Sequence, residues 1–184
     1  MEKKILFIVG SMRNHSFNRQ LANDAKKMIG DKADVTFLDY RNIPFMNQDI
    51  EFPAPEEVAR IRSEVEQADG IWIFTPEYNF SYPGVLKNLL DWLSRPLKQG
   101  DFGGASAISG RKVTFSAVAG RAAAKGSRAK LEEVLKLMRT DIMNEPVTAI
   151  AVGPETMMSD ELVLTDDQKK ELEAQIDAFL KFIG

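Results

Sequence analysis

The chain has no cysteine and a single histidine in 184 residues. Without thiols, disulfides, thiolate metal sites and cysteine nucleophiles are all excluded. His15 is the sole imidazole available as an acid or base. Two nucleotide-binding fingerprints are also missing: neither GxGxxG nor GxxxxGK[ST] occurs. No run approaches the roughly 18 apolar residues that a membrane helix needs. The N-terminal apolar run, residues 5–9, stops at Gly10 and is too short for a signal peptide. No Lys/Arg stripe appears and the net charge is −3, so a nucleic-acid surface is not expected. Repeats, low-complexity tracts and interdomain linkers are absent too. These absences predict a soluble, cytoplasmic protein with no nucleic-acid or membrane partner.

What is present is ordinary globular composition, 44% hydrophobic and 28% charged. Residues 1–184 are expected to form one domain with a proper core. Apolar runs at 5–9, 35–38, 71–75, 112–119 and 147–152 read as strands. Helical spacing covers 16–29, 56–67, 84–94, 127–139 and 165–182. Five apolar strands alternating with helices predict a parallel sheet with helices on both faces. Right-handed crossovers leave Rossmann-like and flavodoxin-like folds as the common choices.

In both folds, ligands bind outside the carboxyl ends of the strands. Three loops there carry the chemistry. The first, GSMRNHSFN at 10–18, holds Ser11, Arg13, Ser16 and Asn18, a set suited to a terminal phosphate at a helix N-terminus. Its bulky Met12, Arg13 and Asn14 leave no room for a pyrophosphate pressed on the backbone. The second, TPEYNFSYPG at 75–84, is an aromatic loop stiffened by Pro76 and Pro83, and it suits a flat ring. The third, AGRAAAKGSRA at 119–129, has small residues that let a ring approach the backbone. Each also has a plainer reading: a helix cap with a solvated arginine, an aromatic turn packed on its own core or on another subunit, and a flexible connection.

GSMRNHSFN resembles the G-S-x-R-x-x-S-x-N phosphate loop of the NADPH-dependent FMN reductase family, a flavodoxin-like group that includes chromate, quinone and azo-dye reductases. PEYN at 76–79 followed by SYPGVLKNLLDW at 81–92 is similar to that family's second signature. The resemblance implies a three-layer α/β sandwich with strand order 2-1-3-4-5. It implies that Ser11, Arg13, Ser16, Phe17 and Asn18 hold the phosphate of a bound FMN. Pro76, Glu77, Tyr78 and Asn79 would line the isoalloxazine, largely through backbone groups, with Ala119 and Gly120 approaching from the third loop. Many members carry a Gly-Gly pair in that loop; here it reads Gly120-Arg-Ala-Ala-Ala-Lys-Gly126.

The resemblance also implies a reductase that takes a hydride from NAD(P)H and passes it by ping-pong to a quinone, azo dye or free flavin. It implies a homodimer or homotetramer as well. The flavin carries the chemistry, so no catalytic side chain is expected and His15 reads as a bystander. A flavodoxin-like FMN electron carrier is an alternative. Carriers typically have a Thr/Ser-rich phosphate loop and a strongly acidic surface, unlike this chain. A non-catalytic regulatory domain is another, but no acidic cluster follows the first strand.

Four further features complete the reading. Asp39 follows the second strand and reads as a solvated strand-end charge. Trp72 reads as core, and Met157-Met158 as a loop packing feature. In the helix at 84–94, Val85, Leu86, Leu89, Leu90, Trp92 and Leu93 span an arc of roughly 160°, wider than an ordinary apolar stripe. Part of that arc is expected either to meet a partner subunit or to be buried more deeply within one chain.

Overall fold

The computed structural model describes residues 2–101 and 103–184. Its spine is a parallel sheet built from β1 (Lys4–Val9), β2 (Asp34–Phe37), β3 (Gly70–Thr75), β4 (Lys112–Ala119), β5 (Asp141–Ile142) and β6 (Ala149–Ala151). The strand order is β2-β1-β3-β4-β5, with β6 also on β4. This is the flavodoxin-like order, and it reverses direction between β1 and β3.

The central strands β1 and β3 are almost wholly apolar because both of their faces are covered. Alternate residues serve different layers. Phe7, Val9, Trp72 and Phe74 pack with α1 (Phe17–Ile29) and α6 (Asp166–Phe182). Leu6, Ile8, Ile71, Ile73 and Phe115 pack against α2 (Glu56–Gln67), α3 (Gly84–Leu93) and α4 (Lys125–Leu137). Trp72 is fully buried, stacked 5.4 Å from Phe74, as its sequence position predicts.

The fifth strand departs from expectation. The run at 147–152 pairs with β4 only through Ala149–Ala151, beside Ala117 to Ala119. The other end of β4 is covered by Asp141–Ile142, which pairs with Lys112 and Val113. Gln175 of α6 spans the break with its whole amide. Its Oε1 accepts from Thr148 N–H at 2.7 Å and from Ser116 Oγ at 2.8 Å. Its Nε2 donates to Thr114 Oγ1 at 3.1 Å and to the Phe115 carbonyl at 3.0 Å. An apolar-run criterion does not see such an edge, because one buried amide replaces the missing ladder bonds.

One further expectation changes, and one pair of alternatives is decided. Met157 and Met158 lie in a short helix, α5 (Pro154–Ser159), not in a loop. The wide apolar arc of α3 is largely satisfied within the chain: Leu86, Leu89, Leu90, Trp92 and Leu93 are buried, and only Val85 stays exposed. The loop after β2 supplies the cover, with the Trp92 Nε1–H donating to the Pro44 carbonyl at 2.8 Å.

Candidate functional site

The carboxyl ends of β1, β3, β4 and β6 surround a cleft of about 340 Å³. That lies at the lower end of the roughly 300–1,000 Å³ typical of small-molecule pockets. Ten residues singled out from sequence line it together: Ser11, Arg13, Ser16, Phe17, Asn18, Pro76, Glu77, Tyr78, Ala119 and Gly120. Asn79 is the one that does not. Asn79 and Phe80 form the centre of a tight turn closed by hydrogen bonds between Tyr78 and Ser81, and this turn carries Asn79 outward. Both have positive φ, 52° and 60°.

The first loop owes its shape to one glycine. A Cβ on Gly10 would stand 3.1 Å from Leu86 Cδ2, so Gly10 lets the loop pass close over α3. Its N–H donates to the Phe74 carbonyl at 2.8 Å. The glycine serves packing, which is why one suffices. Ser16 then caps α1, its Oγ accepting from Arg19 N–H. The N–H groups of Ser11, Phe17 and Asn18 have no acceptor among the described residues. They leave a set of backbone donors at the positive end of a helix dipole, which is an anion site by construction.

The side chains divide into two kinds. Asn18 is buried and bonds the Val118 backbone at both ends, donating from Nδ2 to the carbonyl and accepting at Oδ1 from the N–H, each at 2.9 Å. Its side chain ties α1 to β4, and its backbone N–H faces the donor cluster. Arg13 is partly exposed, lies over the Phe17 ring at 4.9 Å and pairs with Asp160 at 2.5 Å. A half-exposed pair of this kind contributes little to stability and can exchange partners.

Glu77 also works as a brace. Its Oε2 accepts from Ser127 N–H in the first turn of α4 at 2.9 Å. Thr75 Oγ1 meets Ser127 Oγ at 3.2 Å alongside. The approach is so close that a Cβ on Gly126 would lie 2.9 Å from the Phe80 carbonyl oxygen and 3.0 Å from Glu77 Oε2. The side chain of Glu77 is thus committed, while its backbone N–H has no acceptor among the described residues. On the third loop, Ala123 and Ala124 turn the chain into α4 with φ of 45° and 55°. His15 is exposed and does not line the cleft.

Val118, Val152, Met157 and Asp160 complete the lining without having been singled out for it from sequence. The last three come from the segment after β6. The strand-end rule that selected three loops applies equally to this one, and Gly153-Pro154-Glu155 is a legible helix start.

The sequence profile of the NADPH-dependent FMN reductase family matches residues 3–155. The chain belongs to this family. It is 34% identical to a 2-hydroxy-1,4-benzoquinone reductase from a Burkholderia species, covering 100% of this chain and 97% of that protein. It is 31% identical to an NAD(P)H-dependent FMN reductase of Pseudomonas aeruginosa, over 95% of this chain and 92% of the relative. Among solved structures, the flavoenzyme NAD(P)H:(acceptor) oxidoreductase FerB from Paracoccus denitrificans superposes with a TM-score of 0.85 at 30% identity, covering 98% and 97% of the two chains. This reductase is therefore an oxidoreductase of flavodoxin-like fold, with FMN as its flavin and NAD(P)H as its reductant. Among the described residues, no helix is long and apolar enough to cross a membrane.

Proposed function

We propose that this reductase, a single domain over residues 1–184, holds FMN in the cleft as a resident cofactor and reduces quinones, azo dyes or free flavin by a ping-pong route in the cytoplasm. One observation carries the reading: unpartnered backbone N–H groups from two strand-end loops, those of Ser11, Phe17, Asn18 and Glu77, border one cleft that also holds an arginine. That donor set fits a flavin mononucleotide from its terminal phosphate to its ring.

FMN, when bound, supplies the two-electron chemistry. The protein's part is placement. Ser11, Ser16 and the α1 N-terminus receive the phosphate, and Arg13 turns from Asp160 to it. Phe17 stays beneath the Arg13 guanidinium. Pro76, Glu77 and Tyr78 flank the ring edge, with the Glu77 N–H as a donor. Ala119 and Gly120 present small residues to the ring face from the third loop. Asn79 acts through the turn that positions Tyr78. No side chain is assigned an acid or base role.

A second copy of the chain completes the assembly, as a homodimer or homotetramer. The support is an exposed apolar side chain, Leu137, on a groove it shares with Tyr82 and Val134, with Phe80 exposed next to Ser81 of the same groove. Arg13→Ala tests the placement. It is expected to weaken FMN binding about 10- to 100-fold, the worth of one charge-assisted contact to a phosphate. An unchanged FMN Kd by spectral titration would remove the phosphate role.

A further inference from the structure

The loop at 10–18 has a second side. Between the carboxyl ends of β1 and β2 lies another pocket, of about 300 Å³, on the flank away from β3 and β4. Ser11 and Arg13 line both spaces, so the two adjoin.

Three arginines line this second pocket: Arg13, Arg19 and Arg41. Most of the polar groups around them already have partners. Asp39 accepts a fork from Arg41, Nε to Oδ1 at 3.0 Å and Nη2 to Oδ2 at 2.8 Å. It also takes the Arg41 backbone N–H at 3.2 Å. The Tyr40 hydroxyl donates to the Val9 carbonyl at 2.7 Å. Arg13 is held by Asp160.

The Arg19 guanidinium has no hydrogen-bond acceptor among the described residues. It lies over the Phe37 ring, 4.4 Å from the centroid, in a cation–π contact. Burial lowers its pKa, and the nearby Arg41 charge pushes the same way, with Tyr40 and Asp39 opposing. A half-buried guanidinium without an acceptor is a site for an anion that enters from solvent.

The kind of anion follows from Asp39. In dinucleotide-binding Rossmann folds, a free carboxylate at the same strand end suits a ribose diol, while an arginine suits a phosphate on that ribose. Here Arg41 occupies the carboxylate, so the diol acceptor is lost and cationic donors remain. We propose that this pocket is a phosphomonoester site, with Arg19 as its main ligand and Arg41 as its second. The 2′-phosphate of NADPH reaching over from the flavin cleft, or a free phosphorylated small molecule, would supply the same chemistry. The first source rests on the proposed reading of the cleft; the second does not.

The test uses the FMN-loaded protein, with flavin absorbance confirming that the cleft is filled. Wild type, Arg19→Met and Arg41→Gln are titrated calorimetrically with 2′,5′-ADP and with inorganic phosphate. Methionine keeps the apolar cover on Phe37. Binding to wild type, weakened about tenfold or more in Arg19→Met and less in Arg41→Gln, is the expected result for loss of a charge-assisted contact. The NADPH-to-NADH ratio of KM then distinguishes the sources. A ratio that rises in Arg19→Met, with kcat steady, assigns the site to the dinucleotide. A steady ratio beside lost phosphate binding assigns it to a free phosphate compound. The proposal is overturned if wild type binds neither probe, or if both variants bind as wild type does. Failure to load FMN at all would count against the cleft reading instead, and the phosphate titrations would still decide the pocket.

Discussion

Arg13 and Asn18 sit in one loop motif and read alike in sequence, yet the structure gives them opposite work. Asn18 spends its amide on the Val118 backbone in a buried place. Asn18→Ala should therefore cost stability, about 2–4 kcal/mol for two buried backbone groups left unpaired, read by urea denaturation of flavin-free protein. Arg13→Ala should leave that stability nearly unchanged and lower FMN affinity instead. Asp160→Asn should do the reverse to affinity. It removes both the competing partner and a like charge near the phosphate, so FMN should bind about two- to fivefold tighter, the scale of an exposed ion pair. Equal or weaker binding would mean that Asp160 does not restrain Arg13. Asp39 offers a pH test at the same scale. The Arg41 fork and backbone N–H hold its carboxyl down to about 2, against an ordinary value of about 3.9. A depressed carboxyl adds stability above its ordinary pKa and loses it as pH falls toward about 2. Asp39 is exposed, so that contribution is small. Arg41→Gln should return its titration to the ordinary range, visible in the carboxyl carbon shift by NMR.

At the scale of elements, the strands and long helices were legible because apolar period and caps state them directly. Thr165 and Gln168 form a full capping box at the start of α6, and Ser16 caps α1. The broken fifth strand was not legible. Its pairing depends on Gln175, remote in sequence and unremarkable in composition. Gln175→Leu should destabilise the fold by about 2–4 kcal/mol, since it leaves Thr148 N–H and the Phe115 carbonyl unpaired in the interior. Thermal unfolding measures this, and a shift of less than about 1 °C would show that water fills the gap. The α5 segment was missed for a related reason. Six residues make too short a period to register, although Met157 and Asp160 reach the cleft. The site loops were legible as loops and as polar or aromatic sets. Which groups they offer outward, side chain or backbone, was not, because Asn18 and Glu77 turn their side chains inward to partners distant in sequence.

For the molecule as a whole, the β1-centred sheet sets two spaces on either side of one loop, a cleft toward β3, β4 and β6 and an arginine-lined pocket toward β2. Elsewhere the surface leaves Leu137 81% and Phe80 76% exposed beside a groove that includes Tyr82 and Val134. If a second copy covers this patch, Leu137→Glu should shift the protein toward smaller species in sedimentation velocity. An unchanged distribution would move the interface elsewhere. The central claim is that the cleft holds FMN and serves both half-reactions in turn. It is tested most directly by steady-state kinetics of FMN-loaded protein, varying NAD(P)H at several fixed concentrations of a quinone. Double-reciprocal plots should give parallel lines, with one flavin per chain in the visible spectrum. Intersecting lines, or protein that takes up no FMN from a stoichiometric excess, would contradict it.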